Sequence, residues 1–246
     1  MKLILLGTSG YHPSDRRQTP SLLLPECGVM LDAGTGTYRA ADYLSLPELD
    51  IFLTHAHLDH TIGLTYLLNV MRGHPLRRIT LHGLPENLKA VREHLFAEAL
   101  FPVPPPFEMR PLGEATELPN GGLLTHFPLD HRGGAMGFRL DWPGRSMAYV
   151  TDTVADPRAD YVAMIRGVDL LVHECYFSDD EADWAQKVRH SHTTPVARVA
   201  QTAGVGRLVL VHITPLSVAA DPIGLDVARA IFPNTQLGED RMELDF

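Results

Sequence analysis

The sequence predicts a layered α/β domain in which strands and helices interleave. Three observations carry that reading. Short aliphatic and β-branched runs recur along the chain, each the length of a buried strand. Helix-like segments fall between them, three opened by proline at positions 85, 157 and 195. Gly121-Gly122 and Pro143-Gly144 mark hairpin turns in the middle third, so antiparallel pieces are mixed in. An all-α or all-β domain fits none of this, and a layered α/β arrangement fits all of it.

In chain order, 1–7 reads as a first strand, its apolar run too short for a signal h-region. Gly28-Val29-Met30-Leu31 is a second run, ending in Asp32 and the glycine-rich Ala33-Gly34-Thr35-Gly36. That glycine pattern lacks the lysine and spacing of a phosphate loop and reads as a tight turn bringing backbone close to a site. Helices are expected over 37–44, 60–71, 85–100, 157–166, 195–202 and 223–231. The remaining strands share a pattern, in that each ends abruptly in a residue able to bind metal or move a proton. Ile51-Phe52-Leu53 leads to His55, Met147-Ala148-Tyr149-Val150 to Asp152, Leu170-Leu171-Val172 to His173 and Glu174, and Leu208-Val209-Leu210-Val211 to His212. Functional groups commonly gather at one end of such strands, held by loops over a rigid sheet.

The richest stretch is Thr54-His55-Ala56-His57-Leu58-Asp59-His60, with three imidazoles and a carboxylate in six consecutive positions. Strand alternation would point His55 and His57 to one side, with Asp59 and His60 on the turn into the next helix. One cation would take the first pair and a second cation the last pair. Imidazole and carboxylate together suit zinc, and also manganese or iron. Four ligands do not close two sites, because catalytic zinc usually takes three protein ligands plus a water. His131, Asp152 and His212 are the candidates to complete them: His55, His57 and His131 on one cation, Asp59, His60 and His212 on the other, Asp152 bridging. Two divalent cations against two carboxylates and neutral imidazoles leave a net positive centre, attractive to an anionic ester. A lone histidine beside an apolar strand is more often a core or edge residue, and His74, His82, His94 and His126 are read that way.

Composition bounds the rest. A chain of 246 residues with 45% hydrophobic content fits one domain over 1–246 with a sizeable core. No apolar run approaches the ~20 residues of a membrane span, and the expected location is the cytoplasm. Cys27 and Cys175 form neither a disulfide framework nor a zinc-finger spacing and read as core residues. The formal net charge of -9 is unfavourable for general nucleic-acid binding.

The order His-x-His-x-Asp-His followed by His131, Asp152 and His212 resembles the metallo-β-lactamase-fold hydrolases. Within them it is most similar to the ribonuclease Z branch and its short phosphodiesterase relatives. The resemblance runs from Leu5-Leu6-Gly7-Thr8-Ser9-Gly10 through Leu31-Asp32-Ala33-Gly34 and Gly137-Phe138-Arg139 to Leu208-Val209-Leu210-Val211-His212-Ile213-Thr214-Pro215. It implies a four-layer αββα sandwich with mixed sheets and metals at one edge, two divalent ions (zinc, with manganese or iron as alternatives), and the seven ligands named above. His173-Glu174-Cys175 resembles the branch's His-Glu-Ala-Thr element, and Ser191-His192-Thr193-Thr194 its His-Ser-Thr loop. The resemblance thus assigns His192 as proton donor or phosphate stabiliser, oriented by Glu174, with His190 as the alternative. Two departures stand out. The long glycine- and basic-rich arm that grips tRNA in ribonuclease Z has no counterpart here, and 100–107 is short, apolar and proline-rich instead, reading equally as a lid and as packing.

The activity these features imply is metal-assisted hydrolysis of a phosphodiester, a small molecule or an RNA end, with Asp59 orienting the attacking water and accepting its proton. Competing readings are a tRNA 3′-processing endoribonuclease, a hydrolase of a lactone, thioester or β-lactam, and a non-enzymatic metal protein. Relatives often pair, which leaves a homo-oligomer open, and the sequence does not fix the oligomeric state.

Overall fold

The aliphatic runs all become strands in the computed structural model, which describes residues 1–246. The chain divides into two compact units, Met1–Asn120 with Glu239–Asp245, and Gly121–Gly238 with Phe246. The first unit holds β1 (Lys2–Gly7), β2 (Ser21–Leu24), β3 (Val29–Leu31), β4 (Glu48–Phe52), β5 (Arg78–Gly83) and β6 (Glu108–Pro111). After β7 (Ala115–Leu118), the second unit holds β8 (Gly122–Leu129), β9 (Ala135–Trp142), β10 (Arg145–Val150), β11 (Leu170–Glu174), β12 (Arg207–Val211) and β13 (Thr235–Leu237). The last strand, β14 (Glu243–Asp245), returns to the first sheet and pairs antiparallel with β1.

Both sheets have seven strands, in the orders β14-β1-β2-β3-β4-β5-β6 and β13-β12-β11-β10-β9-β8-β7. They follow one plan. An antiparallel meander (β1-β2-β3; β8-β9-β10) gives way to parallel strands (β3 to β6; β10 to β13). Parallel neighbours end on the same edge of a sheet. The C-terminal ends of β3 and β4 therefore bring Asp32 and Thr54-His55 together, and those of β10, β11 and β12 bring together Asp152, Glu174 and His212. Strands β1, β11 and β12 are buried on both faces, as aliphatic runs without alternation require. Each unit closes its own core: Leu23, Ile51, Leu64, Leu81 and their neighbours in the first, Val150, Leu171, Val196, Leu208 and theirs in the second.

Helices α1 (Leu58–Thr61), α2 (Leu67–Gly73) and α3 (Pro85–Ala90) lie in the first unit, and α4 (Tyr161–Met164), α5 (Ala182–Val188), α6 (Thr193–Ala203) and α7 (Leu225–Ile231) in the second. The expected helix over 85–100 begins at Pro85 as read, but passes into a π-turn at Val91–Leu95 and stops. Beyond it, Phe101 and Phe107 pack their rings on Phe96 at 5.3 and 5.4 Å. The expected helix over 157–166 is reduced to α4, because the Asp156 carboxylate accepts the Arg158 N–H and holds a turn there. α5 was not expected. Its only buried residue is Ala185, so it has no apolar stripe to read. Both cysteines are buried and unpaired in disulfides, and no helix is long and apolar enough to cross a membrane.

Besides the pairing of β14 with β1, one carboxylate gathers several groups of the first unit. Asp240 accepts hydrogen bonds from Thr8 N–H and Oγ1–H, from Gln18 N–H and from Arg39, whose guanidinium is 2.5 Å away. Arg39 and Asp240 side chains are only 11% and 7% exposed, so removing the carboxylate leaves a nearly buried cation without its counter-charge. Asp240→Ala is expected to lower unfolding stability by about 3–5 kcal/mol, measured as a reduced urea midpoint at unchanged slope.

Candidate metal centre

In the first unit the site is organised by Asp32, which leaves β3 in a left-handed conformation (φ 56°) and is fully buried. Its Oδ1 accepts Thr54 N–H at 2.8 Å and shares the Thr54 hydroxyl proton with Oδ2 at 2.9 Å. His60 Nδ1 lies 2.8 Å from Asp32 Oδ2 and donates to it, since a carboxylate can only accept. The Thr54 hydroxyl, its proton spent on Asp32, accepts from His55 Nδ1 at 3.1 Å. Both rings are thereby set with Nδ1–H held by the protein and Nε2 as the basic nitrogen, the arrangement that orients metal-ligating histidines.

His55 and His57 have ring centroids 4.4 Å apart, and His55 and His60 4.3 Å. Strand alternation does not bring the first pair together. β4 ends at Phe52, and the rings meet because the loop from Leu53 turns directly into α1. Asp59 is held from two directions: its Oδ2 accepts the Tyr11 N–H at 2.9 Å, and its carbonyl accepts the Thr19 hydroxyl at 2.7 Å. The glycine turn does bring backbone close, as a Cβ on Gly34 would stand 2.3 Å from the Asp59 carbonyl oxygen.

In the second unit Asp152 follows β10 and receives the Thr151 hydroxyl at 2.8 Å. His131 Nε2 lies 3.4 Å from Asp152 Oδ2, and His212 Nε2 lies 3.2 Å from Asp152 Oδ1. His131 Nδ1 donates to the Arg189 carbonyl at 3.1 Å, and burial lowers the pKa of this ring, favouring the neutral form with a lone pair on Nε2. The two oxygens of one carboxylate thus each face a different imidazole.

These spacings test whether cations fit. Two donors each about 2.0–2.2 Å from one tetrahedral ion stand roughly 3.4 Å apart. Asp59 Oδ2 and His60 Nε2 are separated by 3.4 Å, His131 and Asp152 by 3.4 Å, and His212 and Asp152 by 3.2 Å. In His60 and His131, whose Nδ1–H is held by the protein, the Nε2 lone pair and a carboxylate oxygen repel at that distance, and a divalent cation between them converts the repulsion into ligation. The donor sets fit divalent metal.

Glu174, at the end of β11 and fully buried, accepts Thr153 N–H at 2.8 Å and Ser191 N–H at 3.2 Å through Oε1. The same oxygen receives His190 Nδ1 at 3.2 Å, while Oε2 lies 4.0 Å from His212 Nδ1. The expectation that Glu174 orients His192 is corrected here: its partner is His190. His192 Nδ1 instead donates to Asp179 Oδ1 at 2.6 Å. His190 packs its ring against those of Tyr176 (4.8 Å) and His212 (5.3 Å), and Asp152, His190 and His212 offer ligand atoms within 4.8 Å of one another. His173 is structural, being fully buried with its two ring nitrogens bonded to the Glu174 carbonyl and the Tyr161 hydroxyl. His74 and His82 are likewise occupied elsewhere, on the Leu46 carbonyl and on Asp50. Thr54, Asp179 and the Tyr11 N–H were not legible as site groups. Asp32 was legible only as the end of a strand.

Asp32→Ala removes the acceptor that sets the tautomer of His60 and, through Thr54, of His55. Its metal affinity is expected to fall about 10–100-fold, measured by chelator competition, with His74→Ala, remote from these groups, as a control that leaves affinity unaltered.

The comparisons with known proteins agree with this chemistry. The sequence profile of the β-lactamase superfamily domain matches residues 28–213. A protein named ribonuclease Z from Synechococcus sp. (strain CC9311) is 30% identical, covering 100% of this chain and 98% of the relative. That alignment spans 315 positions against 246 residues, so the relative carries insertions this chain lacks. The metallo-β-lactamase fold protein YhfI from Bacillus subtilis superposes with a TM-score of 0.78 at 16% identity over 99% of both chains. The short form of human tRNase Z gives 0.74 at 21% identity over 100% of this chain and 99% of that one. The α/β architecture with two mixed sheets is thus the metallo-β-lactamase sandwich. On profile, sequence identity and fold together, the chain belongs to the β-lactamase superfamily, in its ribonuclease Z-like branch, and is a metal-dependent hydrolase.

Proposed function

We propose that this chain is a dinuclear phosphodiesterase of ribonuclease Z-like type, one catalytic domain over 1–246 acting on a small phosphodiester or an RNA end. The observation that carries the reading is Asp152, whose two oxygens each stand at ligand-pair distance from a separate imidazole. In this reading His55, His57 and His131 hold one cation and Asp59, His60 and His212 the second, with Asp152 shared, and zinc is the ion that best suits imidazole with carboxylate. Divalent cations held there supply Lewis acidity, which lowers the pKa of water from about 15.7 toward ~7 and neutralises charge on the phosphate.

The chain's own groups do the rest. Asp59, fixed by the Tyr11 N–H, orients the attacking water and takes its proton. His190, with Nδ1–H on Glu174 and its ring packed against Tyr176, is placed to deliver a proton through Nε2 to the departing oxygen. Glu174 positions that ring, as an acceptor that also gathers two backbone N–H groups.

A second reading is tRNA 3′-end processing, favoured by the relative named ribonuclease Z at 30% identity. The absent insertions and the net charge of -9 weigh against it. A cytoplasmic location and a homo-oligomeric state belong to the same proposal, and light scattering on purified protein reads the latter.

Metal-loaded protein is expected to hydrolyse bis-p-nitrophenyl phosphate, and His57→Ala to lower kcat/KM by about 10³-fold, since Lewis acidity is worth several kcal/mol. Equal inertness of both proteins with zinc, manganese and cobalt sinks the proposal, and turnover of a lactone or thioester instead moves it to carboxylic substrates. His190→Ala is expected to lower kcat about 10²–10⁴-fold for an alkyl leaving group but far less for p-nitrophenolate, which departs without a proton. Equal losses on both leaving groups would remove His190 from the acid role.

A further inference from the structure

The mechanism leaves His192 unused, yet its surroundings are built. It lies just before α6, with Nδ1 donating to Asp179 Oδ1 at 2.6 Å. That carboxylate is fixed in turn by the Thr194 N–H at 2.8 Å and the Thr194 hydroxyl at 2.5 Å. Burial alone would raise the Asp179 carboxyl, but these bonds and the one from His192 bring it below the usual range, so it is the ionised acceptor. His192 is 23% exposed at its side chain and lines a cavity of about 270 Å³. Val154, Ala155, Asp156, Arg158, Gln186 and His190 are among the other walls.

Three properties of this cavity narrow what it takes. His190 is a shared wall, so a group seated here is attached directly beside the reacting phosphorus. The volume lies just below the roughly 300–1,000 Å³ of drug-sized sites, enough for a compact group and not for a folded polymer. Its arginine is already compensated: Arg158 is paired through two nitrogens with Asp156 at 3.1 and 2.9 Å. A second phosphate would find no uncompensated cation. With Nδ1–H committed to Asp179, Nε2 is the ring nitrogen left to accept, and Gln186 adds an amide. That pair suits a hydroxyl.

We propose that the cavity beside His190 is a sugar subsite, in which a hydroxyl of the group esterified to the scissile phosphate donates to His192 Nε2. Asp179 is the positioning residue that sets the tautomer. The inference rests on the phosphodiesterase reading and narrows it to sugar phosphodiesters.

The test uses the metal-loaded full chain and two readouts. Calorimetric titration with uridine is expected to show binding that weakens about tenfold in His192→Phe and in Asp179→Asn. The ratio of kcat/KM for uridine 5′-(p-nitrophenyl) phosphate over bis-p-nitrophenyl phosphate is expected to fall by a similar factor, mainly through KM. Damage to folding alone would lower both rates and leave the ratio unaltered. Gln186→Leu, on an exposed side chain, supplies a variant safe for folding, with a loss of about threefold expected. Uridine binding and rate ratio both indifferent to these changes overturn the subsite while bis-p-nitrophenyl phosphate turnover keeps the function standing. Uridine binding that depends on His192 in a protein inert to every phosphodiester does the reverse.

Discussion

The constraint on which this structure depends is the holding of carboxylate oxygens and imidazole nitrogens 3.2–3.4 Å apart, too close to be comfortable without a cation. Such a site does not assemble itself. Three of the imidazoles are restrained from behind by a group that accepts the other ring hydrogen: Asp32 for His60, Thr54 for His55, the Arg189 carbonyl for His131. The restraints on His60 and His55 are buried, where a hydrogen bond is strong and an unmade one is costly. Asp32 carries the most, since one carboxylate fixes a backbone amide, a hydroxyl and a ring at the end of β3.

The two sheets explain how these groups come to hand. Each changes from an antiparallel meander to parallel strands, and in each the parallel strands deliver their C-terminal ends to one edge. Aliphatic runs such as Leu170-Leu171-Val172 supply rigidity by burial on both faces, and the first polar residue after each run inherits that rigidity. This is why Asp152, Glu174 and His212 can be placed by backbone alone, without long flexible side chains that would lose entropy on ordering.

The loop from 189 to 194 shows the same economy at finer scale. His190 and His192 are two residues apart, yet one faces Glu174 and Tyr176 and the other faces Asp179 and a separate cavity. Strict alternation would turn both to one side, so their separation is set by these partners, with Ser191 between them tying its hydroxyl to the Thr153 carbonyl. Arg189, in a left-handed conformation, ends α5 and turns its carbonyl to His131.

What the amino-acid sequence determined by itself was the aliphatic strands that end at the site and the residue types offered there as donors. Aliphatic runs have no other stable use in a chain of this length, and His55, His57, Asp59 and His60 are too dense to be incidental. It also ruled out membrane-spanning helices and disulfide frameworks. Tertiary structure decided the partners. Nothing in the spacing of Glu174, His190 and His192 tells which imidazole the carboxylate reaches, because that depends on the direction in which one loop leaves α5. Nor could Thr54 be distinguished from any strand-end threonine until Asp32 was seen beside it. Helix α5 stayed unread for a related reason, since a helix that buries a single alanine leaves no periodic mark. Local pattern is written by burial, whereas hydrogen-bond partnership is written by three-dimensional approach.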